Sequence, residues 1–222
     1  MGLIVIEGLD GSGKSTQINR LREHLIAKGY LCQTFHFPRT DSPVYGDLIA
    51  RFLRGELGEI HQVDPYLTAL IYAGDRFDFK PTIEKWLNDD YMVLLDRYVY
   101  SNIAYQCAKI ADSDAKIALR DWILHLEFEY HALPKPDLNI FLDVPFVFTR
   151  QNLANVREGS EREYLKGKDD IHETNIDFQE TVRQSYLSLE GTDGFVKIDC
   201  SDGKNVLSVD QIFTKIIDVL NI

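Results

Sequence analysis

The string Gly8-Leu9-Asp10-Gly11-Ser12-Gly13-Lys14-Ser15 fits the pattern G-x-x-x-x-G-K-[ST]. The chemistry needs this spacing. Glycines let a loop wrap a phosphate with its backbone N–H groups, and the helix that follows adds the positive end of its dipole. Lys14 is placed to reach the β and γ phosphates of a nucleotide, and the Ser15 hydroxyl to ligate Mg²⁺. Thr16 follows in the same helical turn. A short apolar run precedes the motif and a periodic helix follows it, which is the context such a loop requires.

A phosphate loop alone does not name a reaction. A guanine-reading N/T-K-x-D is missing: the nearest string, Lys166-Gly167-Lys168-Asp169, lacks its first residue. Asp96-Arg97 ends an apolar run. Asp96 there can hold the water shell of Mg²⁺. Arg97 beside it suits a second phosphorylated molecule better than hydrolysis, with a strand-end ion pair as the plainer reading. Arg39, in Phe37-Pro38-Arg39, is a second candidate phosphate clamp. Tyr72 and Arg76 lie four apart on a helix, which puts a ring and a guanidinium on one face. They suit a base, by stacking and by donating to a carbonyl. The alternative is a core tyrosine, with Arg76 paired to Asp75 or Asp78. Ser101, Asn102, Tyr105 and Gln106 follow Asp96-Arg97. Asn102, Tyr105 and Gln106 share a helical face, and an amide can both donate and accept, as the edge of thymine or uracil requires.

These groups need a frame. Leu3 to Ile6, Leu31 to Phe37, Met92 to Leu95, Leu138 to Leu142 and Phe195 to Ile198 read as five short strands. Between them run helical patterns. Ile18, Leu21, Leu25 and Ile26 stop at Gly29. Asp64-Pro65 opens a helix through Tyr66 to Ala73 that is apolar nearly all round and so is expected to be buried. Val209, Ile212, Phe213, Ile216, Ile217 and Leu220 form a last stripe. The alternation predicts an α/β fold, a five-stranded parallel sheet flanked by helices. Residues 1–222 read as one domain with no repeat or linker. A charged stretch of about 155–170 is expected as a short lid.

With 222 residues and 45% hydrophobic content the chain can bury a full core. Its 24 basic and 35 acidic residues give a net charge of −11, which argues against a general nucleic-acid or anionic-membrane binder. No run approaches a membrane span, the start shows no signal-peptide pattern, and Cys32, Cys107 and Cys200 suit buried thiols in a reducing cytosol. A cytoplasmic location is therefore expected.

Over essentially its full length the chain resembles the bacterial thymidylate kinases, within the nucleoside monophosphate kinase group. The resemblance rests on Glu7 to Ser15, Phe37-Pro38-Arg39, the aromatic-x-x-x-Arg of Tyr72 to Arg76, Asp96 to Gln106, and Pro136-Asp137-Leu138 before Phe141-Leu142-Asp143-Val144. It implies transfer of the γ-phosphoryl of ATP, with Mg²⁺, to dTMP, giving dTDP and ADP. It implies a donor site of Gly8 to Thr16 with Arg150 against the adenine. The acceptor site would hold Asp10, Phe37, Arg39, Tyr72, Arg76, Arg97, Ser101, Asn102 and Tyr105. Arg39 and Arg97 would grip the 5′-phosphate, Asp10 would lie near the sugar and the Mg²⁺ site, and Tyr72 would stack on thymine. Arg76 would donate to O4, Asn102 would meet the N3 edge, and Tyr105 would sit under the sugar. Asp10-Gly11-Ser12 holds no arginine, so the lid would supply positive charge from Arg157 or Arg162, with Lys166 and Lys168 behind them. His172-Glu173 stands where many members have Tyr-Glu. A homodimer through an apolar helix face is also implied.

Rival readings are a kinase for another small acceptor and a nucleotide-dependent switch that turns over without an acceptor. A metal hydrolase is weaker, since His125, Glu127, Glu129 and His131 form no ligand spacing and read as helix-surface polar residues.

Overall fold

A computed structural model of the chain describes residues 2–145, 148–149, 164–168 and 170–221. Five strands form one parallel sheet in the order β2-β3-β1-β4-β5. They are β1 (Leu3–Glu7), β2 (Cys32–His36), β3 (Met92–Asp96), β4 (Leu138–Asp143) and β5 (Phe195–Asp199). Side chains alternate across the sheet. Leu3, Val5, Val93, Leu95 and Phe141 face one core; Ile4, Ile6, Leu94, Ile140 and Leu142 face the other. Both faces being covered, the central strands are apolar over most of their length.

Helix α1 (Lys14–Ala27) starts straight out of the glycine loop and ends before Gly29, which adopts φ 91°. Helices α2 (Tyr45–Leu53), α3 (Pro65–Asn88), α4 (Val99–Cys107) and α5 (Ser113–Leu124) follow. Alpha5 runs on into a π-helical turn, His125–Tyr130. One turn at Ile171–Thr174, then α6 (Ile176–Leu187) and α7 (Val209–Leu220), complete the described elements. Asp64 caps α3, accepting from the N–H groups of Tyr66 at 2.8 Å and Leu67 at 3.2 Å. Gly74 lets α3 touch α2, because a Cβ there would fall inside the Tyr45 ring.

The structure departs from the sequence reading in two ways. The strands run into polar residues, Glu7, Asp96, Asp143 and Asp199, because ladder pairing continues to the sheet edge where ligands bind in such folds. Helix α3 extends to Asn88 through Pro81, and it is not buried all round: Leu67, Leu70 and Phe77 are exposed along its outer side.

Candidate functional site

The strand ends and the helices that leave them enclose a cleft of about 1760 Å³. Gly11, Gly13, Lys14, Ser15 and Thr16 line one end, with Gly8, Leu9 and Ser12 behind them. Gly13 takes φ 84°, the left-handed region that glycine tolerates, just where the loop turns into α1. Lys14 is 7% exposed, and its Nζ donates to the carbonyls of Gly8 at 3.2 Å and Leu9 at 2.9 Å. Burial, then the nearby Arg97, brings its pKa down to about 8.

Ser15 Oγ donates to Asp96 Oδ2 at 3.3 Å. His36 Nδ1 lies 3.3 Å from the same oxygen. The other oxygen, Oδ1, is buried without a hydrogen-bond partner. Burial opposes the Asp96 charge, but Lys14 and His36 outweigh it and hold the carboxyl below its usual range. A free, ionised oxygen beside a serine hydroxyl is a hard-oxygen donor set that fits Mg²⁺, which binds few protein ligands and keeps waters and phosphates.

Arg97 follows at once in a left-handed conformation, φ 67°, a strained state for a non-glycine residue that recurs at functional sites. Its Nη2 donates to Asp10 at 2.8 Å and to Tyr105 Oη at 3.2 Å, and the Tyr105 hydroxyl donates to Asp10 at 3.0 Å. Burial works against ionisation of Asp10, yet Arg97 and Lys14 hold its carboxyl well below the usual range. Arg39 is the second arginine at the cleft. Its Nε donates to Asp75 at 2.8 Å and its Nη2 to Asp78 at 2.8 Å. Asp75 and Asp78 therefore pair with Arg39, not with Arg76 as the sequence alternative had it.

Arg76 instead turns inward to Glu127. Its Nε donates to Glu127 Oε2, and its Nη2 to Oε1 at 2.7 Å. Glu127 is fully buried, so the reading of it as a helix-surface residue is overturned. The π-helical turn resets the helical phase at that point, and no periodicity reveals it. Asn102 Nδ2 donates to Glu127 Oε1 at 2.9 Å and to the Ala69 carbonyl at 3.0 Å. Tyr72 lines the cleft near these groups. Ser101 Oγ donates to Glu7, which also accepts from Tyr98 N and Tyr186 Oη at 3.0 Å each. Phe37 is 1% exposed, a core ring packed on Phe35 and Phe79 that also lines the cleft.

The sequence reading gives Gln179 no role and marks His172 only as a departure from the family's Tyr-Glu. Gln179 Nε2 reaches Asp10 Oδ2 at 3.4 Å. His172 lines the cleft, packs on Phe52, Tyr105 and Phe178, and is kept neutral because burial, then Lys109, lowers its pKa to about 3. Neither carries a local signature; both come from chain far beyond the phosphate loop. Arg150, Arg157 and Arg162 lie outside the described residues, as does most of the expected lid. Of its described part, the Tyr164 carbonyl accepts from Arg54 at 2.5 Å and Lys168 pairs with Glu56 at 3.1 Å.

The family model for thymidylate kinase matches residues 6–210. The chain belongs to the thymidylate kinase family. It is 34% identical over 188 residues to the thymidylate kinase of Mycobacterium tuberculosis, covering 84% of this chain and 85% of that one. It is 32% identical over 222 residues to a probable thymidylate kinase of Methanosphaera stadtmanae, covering 99% of each. Among solved structures, a thymidylate kinase from Candida albicans superposes with a TM-score of 0.71 at 28% identity, covering 99% of this chain and 91% of that one. Membership makes the chain a phosphotransferase that uses ATP to convert dTMP to dTDP.

Proposed function

We propose that one cleft holds both substrates of this transfer, with ATP on the Lys14 end and dTMP on the Tyr72 end. The observation that carries this reading is continuity. Lys14, Ser15, Arg39, Arg97, Tyr72 and Asn102 line a single cavity at the C-terminal edge of the sheet.

Phosphoryl transfer passes through a loose, highly charged transition state, so the protein mainly positions and neutralises. Arg39 and Arg97 hold the 5′-phosphate of dTMP, whose oxygen is already anionic and needs no strong base. Lys14, protonated at neutral pH, follows the charge on the β and γ phosphates. Ser15 and Asp96 would hold Mg²⁺, directly or through water, and the ion would supply positive charge to the phosphates. Asp10 and Tyr105 form the floor under the sugar. Tyr72 stacks on the thymine, Arg76 donates to O4 and Asn102 meets the N3 edge. Arg150 lies against the adenine, and Arg157 or Arg162 brings a further cation from the segment at about 155–170, whose closure excludes water.

We read the protein as cytoplasmic and free of nucleic acid and membrane. Among the described residues no helix is long and apolar enough to cross a bilayer. The exposed stripe Leu67, Leu70 and Phe77 on α3 fits a homodimer contact.

The test is turnover with Mg²⁺-ATP and dTMP, dUMP, UMP, CMP, AMP or thymidine, each alone, measuring ADP and phosphorylated acceptor. Diphosphate formed from dTMP far above the others supports the assignment. ADP formed at one rate whatever the acceptor rejects it.

A further inference from the structure

Glu127 sits beside Arg76 and Asn102 and has no part in the transfer proposed above. It is 0% exposed and belongs to the π-helical turn, where the His131 N–H donates to the Leu126 carbonyl at 2.9 Å, five residues back. Such turns recur at functional sites. A fully buried carboxylate needs strong partners, and its partners are Arg76 and Asn102, the two side chains that face the base.

The pairing fixes what each can offer. Asn102 Nδ2 has two hydrogens. One goes to Glu127 Oε1 at 2.9 Å and one to the Ala69 carbonyl at 3.0 Å. Both partners can only accept, so a flipped amide would set Oδ1 against two acceptors; the orientation follows from the network. Asn102 Oδ1 is left buried and without a partner, in a residue that is 3% exposed and lines the cleft. Arg76 uses Nε and Nη2 on Glu127, and Nη1 takes no part in that pairing. The cleft is thus offered a donor from Arg76 and an acceptor from Asn102.

We infer that Glu127 is the positioning residue that sets base specificity, by locking Arg76 as donor and Asn102 as acceptor. This rests on the reading of Arg76 and Asn102 as the base-edge contacts. Thymine presents O4 as acceptor and N3–H as donor, and matches both. Cytosine presents an amino group and a bare N3, and opposes both. A site built on buried polar groups rejects a mismatched edge strongly, because its groups are left unpaired. Without a carboxylate at position 127 the Asn102 amide is free to turn and the contrast weakens.

The decisive variant is Glu127→Gln, whose amide can donate to Asn102 Oδ1 and so permit the flip. The ratio of kcat/KM for dTMP to that for dCMP should fall at least tenfold, through a raised KM for dTMP. The KM for ATP should stay within twofold, and Glu127→Asp should recover part of the ratio. A folded Glu127→Gln protein with an unchanged ratio overturns the inference. Arg76→Ala and Asn102→Ala separate the two layers. If they leave the KM for dTMP unchanged, the base-pocket reading itself fails; if they raise it while Glu127→Gln does not, only the role of Glu127 fails. Should neither Glu127 variant fold, the side-chain amide of Asn102 in the ¹⁵N-labelled wild-type protein decides. Slow exchange of both its protons, with and without dTMP, is expected; fast exchange, as for a free amide, rejects the locked orientation.

Discussion

The donor and acceptor ends of the cleft treat positive charge differently. At the donor end Lys14 rests on two main-chain carbonyls, Gly8 O and Leu9 O, and has no ion pair among the described residues. At the acceptor end each arginine already holds a carboxylate: Arg39 with Asp75 and Asp78, Arg76 with Glu127, Arg97 with Asp10. A lysine buried without a counterion loses part of its preference for charge, and the pKa of Lys14 falls accordingly. Paired arginines stay charged. With the substrates placed as proposed, a polyanion would complete the donor end, whereas the acceptor end would share or exchange carboxylates for the phosphate of dTMP. The first arrangement favours neutralisation of moving charge; the second favours fixed geometry.

The sharpest way to break this contrast is Lys14→Ala. It should lower kcat at least a thousandfold in steady-state turnover, since nothing else described carries unpaired charge to the phosphates; near-normal turnover would remove Lys14 from the mechanism. Tyr72→Ala should act on the other end alone. Loss of stacking worth ~1–3 kcal/mol raises the KM for dTMP about tenfold and leaves that for ATP within twofold. Equal rises for both substrates would mean the two ends are not separate.

Titration gives a finer comparison. The free enzyme holds Lys14 with a pKa of about 8, and bound phosphates favour its charged form. ATP affinity should then be full below pH 8 and fall above it, by at most about tenfold per pH unit. Calorimetric titration with ATP from pH 7 to 9.5 checks this; a flat profile means that Lys14 stays charged throughout.

The smallest effect concerns a cation near the acceptor end that breaks its rule. Lys109 donates to Thr68 Oγ1 at 3.2 Å, lies over the Phe52 ring at 4.6 Å and has no ion pair among the described residues. Burial brings its pKa down to about 7. The unfolded chain, with lysine near ~10.4, binds the extra proton between those values, so this residue makes stability rise with pH from about 7 to 10. Lys109→Met should therefore raise Tm more at pH 6.5 than at pH 10, by a few degrees at the ~2–4 °C per kcal/mol expected for this size. The same increment at both pH values would show that burial does not disfavour its charge.

How much of this was legible depended on whether partners are near in sequence. The phosphate loop is contiguous, so Gly8 to Ser15 declared the glycine turn that leads into α1. The three central strands showed as apolar runs because both sheet faces are covered there. The partners of the arginines did not show. Asp75 sits beside Arg76 yet binds Arg39, 36 positions away, and Glu127 lies 51 positions from Arg76 on a turn whose phase departs from the helical period.

The sequence by itself determined the α/β alternation, the phosphate loop and the family, because these are written in local pattern and spacing. The tertiary structure alone decided which carboxylate meets which arginine, that His172 lines the cleft and Gln179 reaches Asp10, and which atom of Asn102 faces the cleft. Those choices depend on close packing between distant segments and on satisfying buried polar groups, and no local string encodes either.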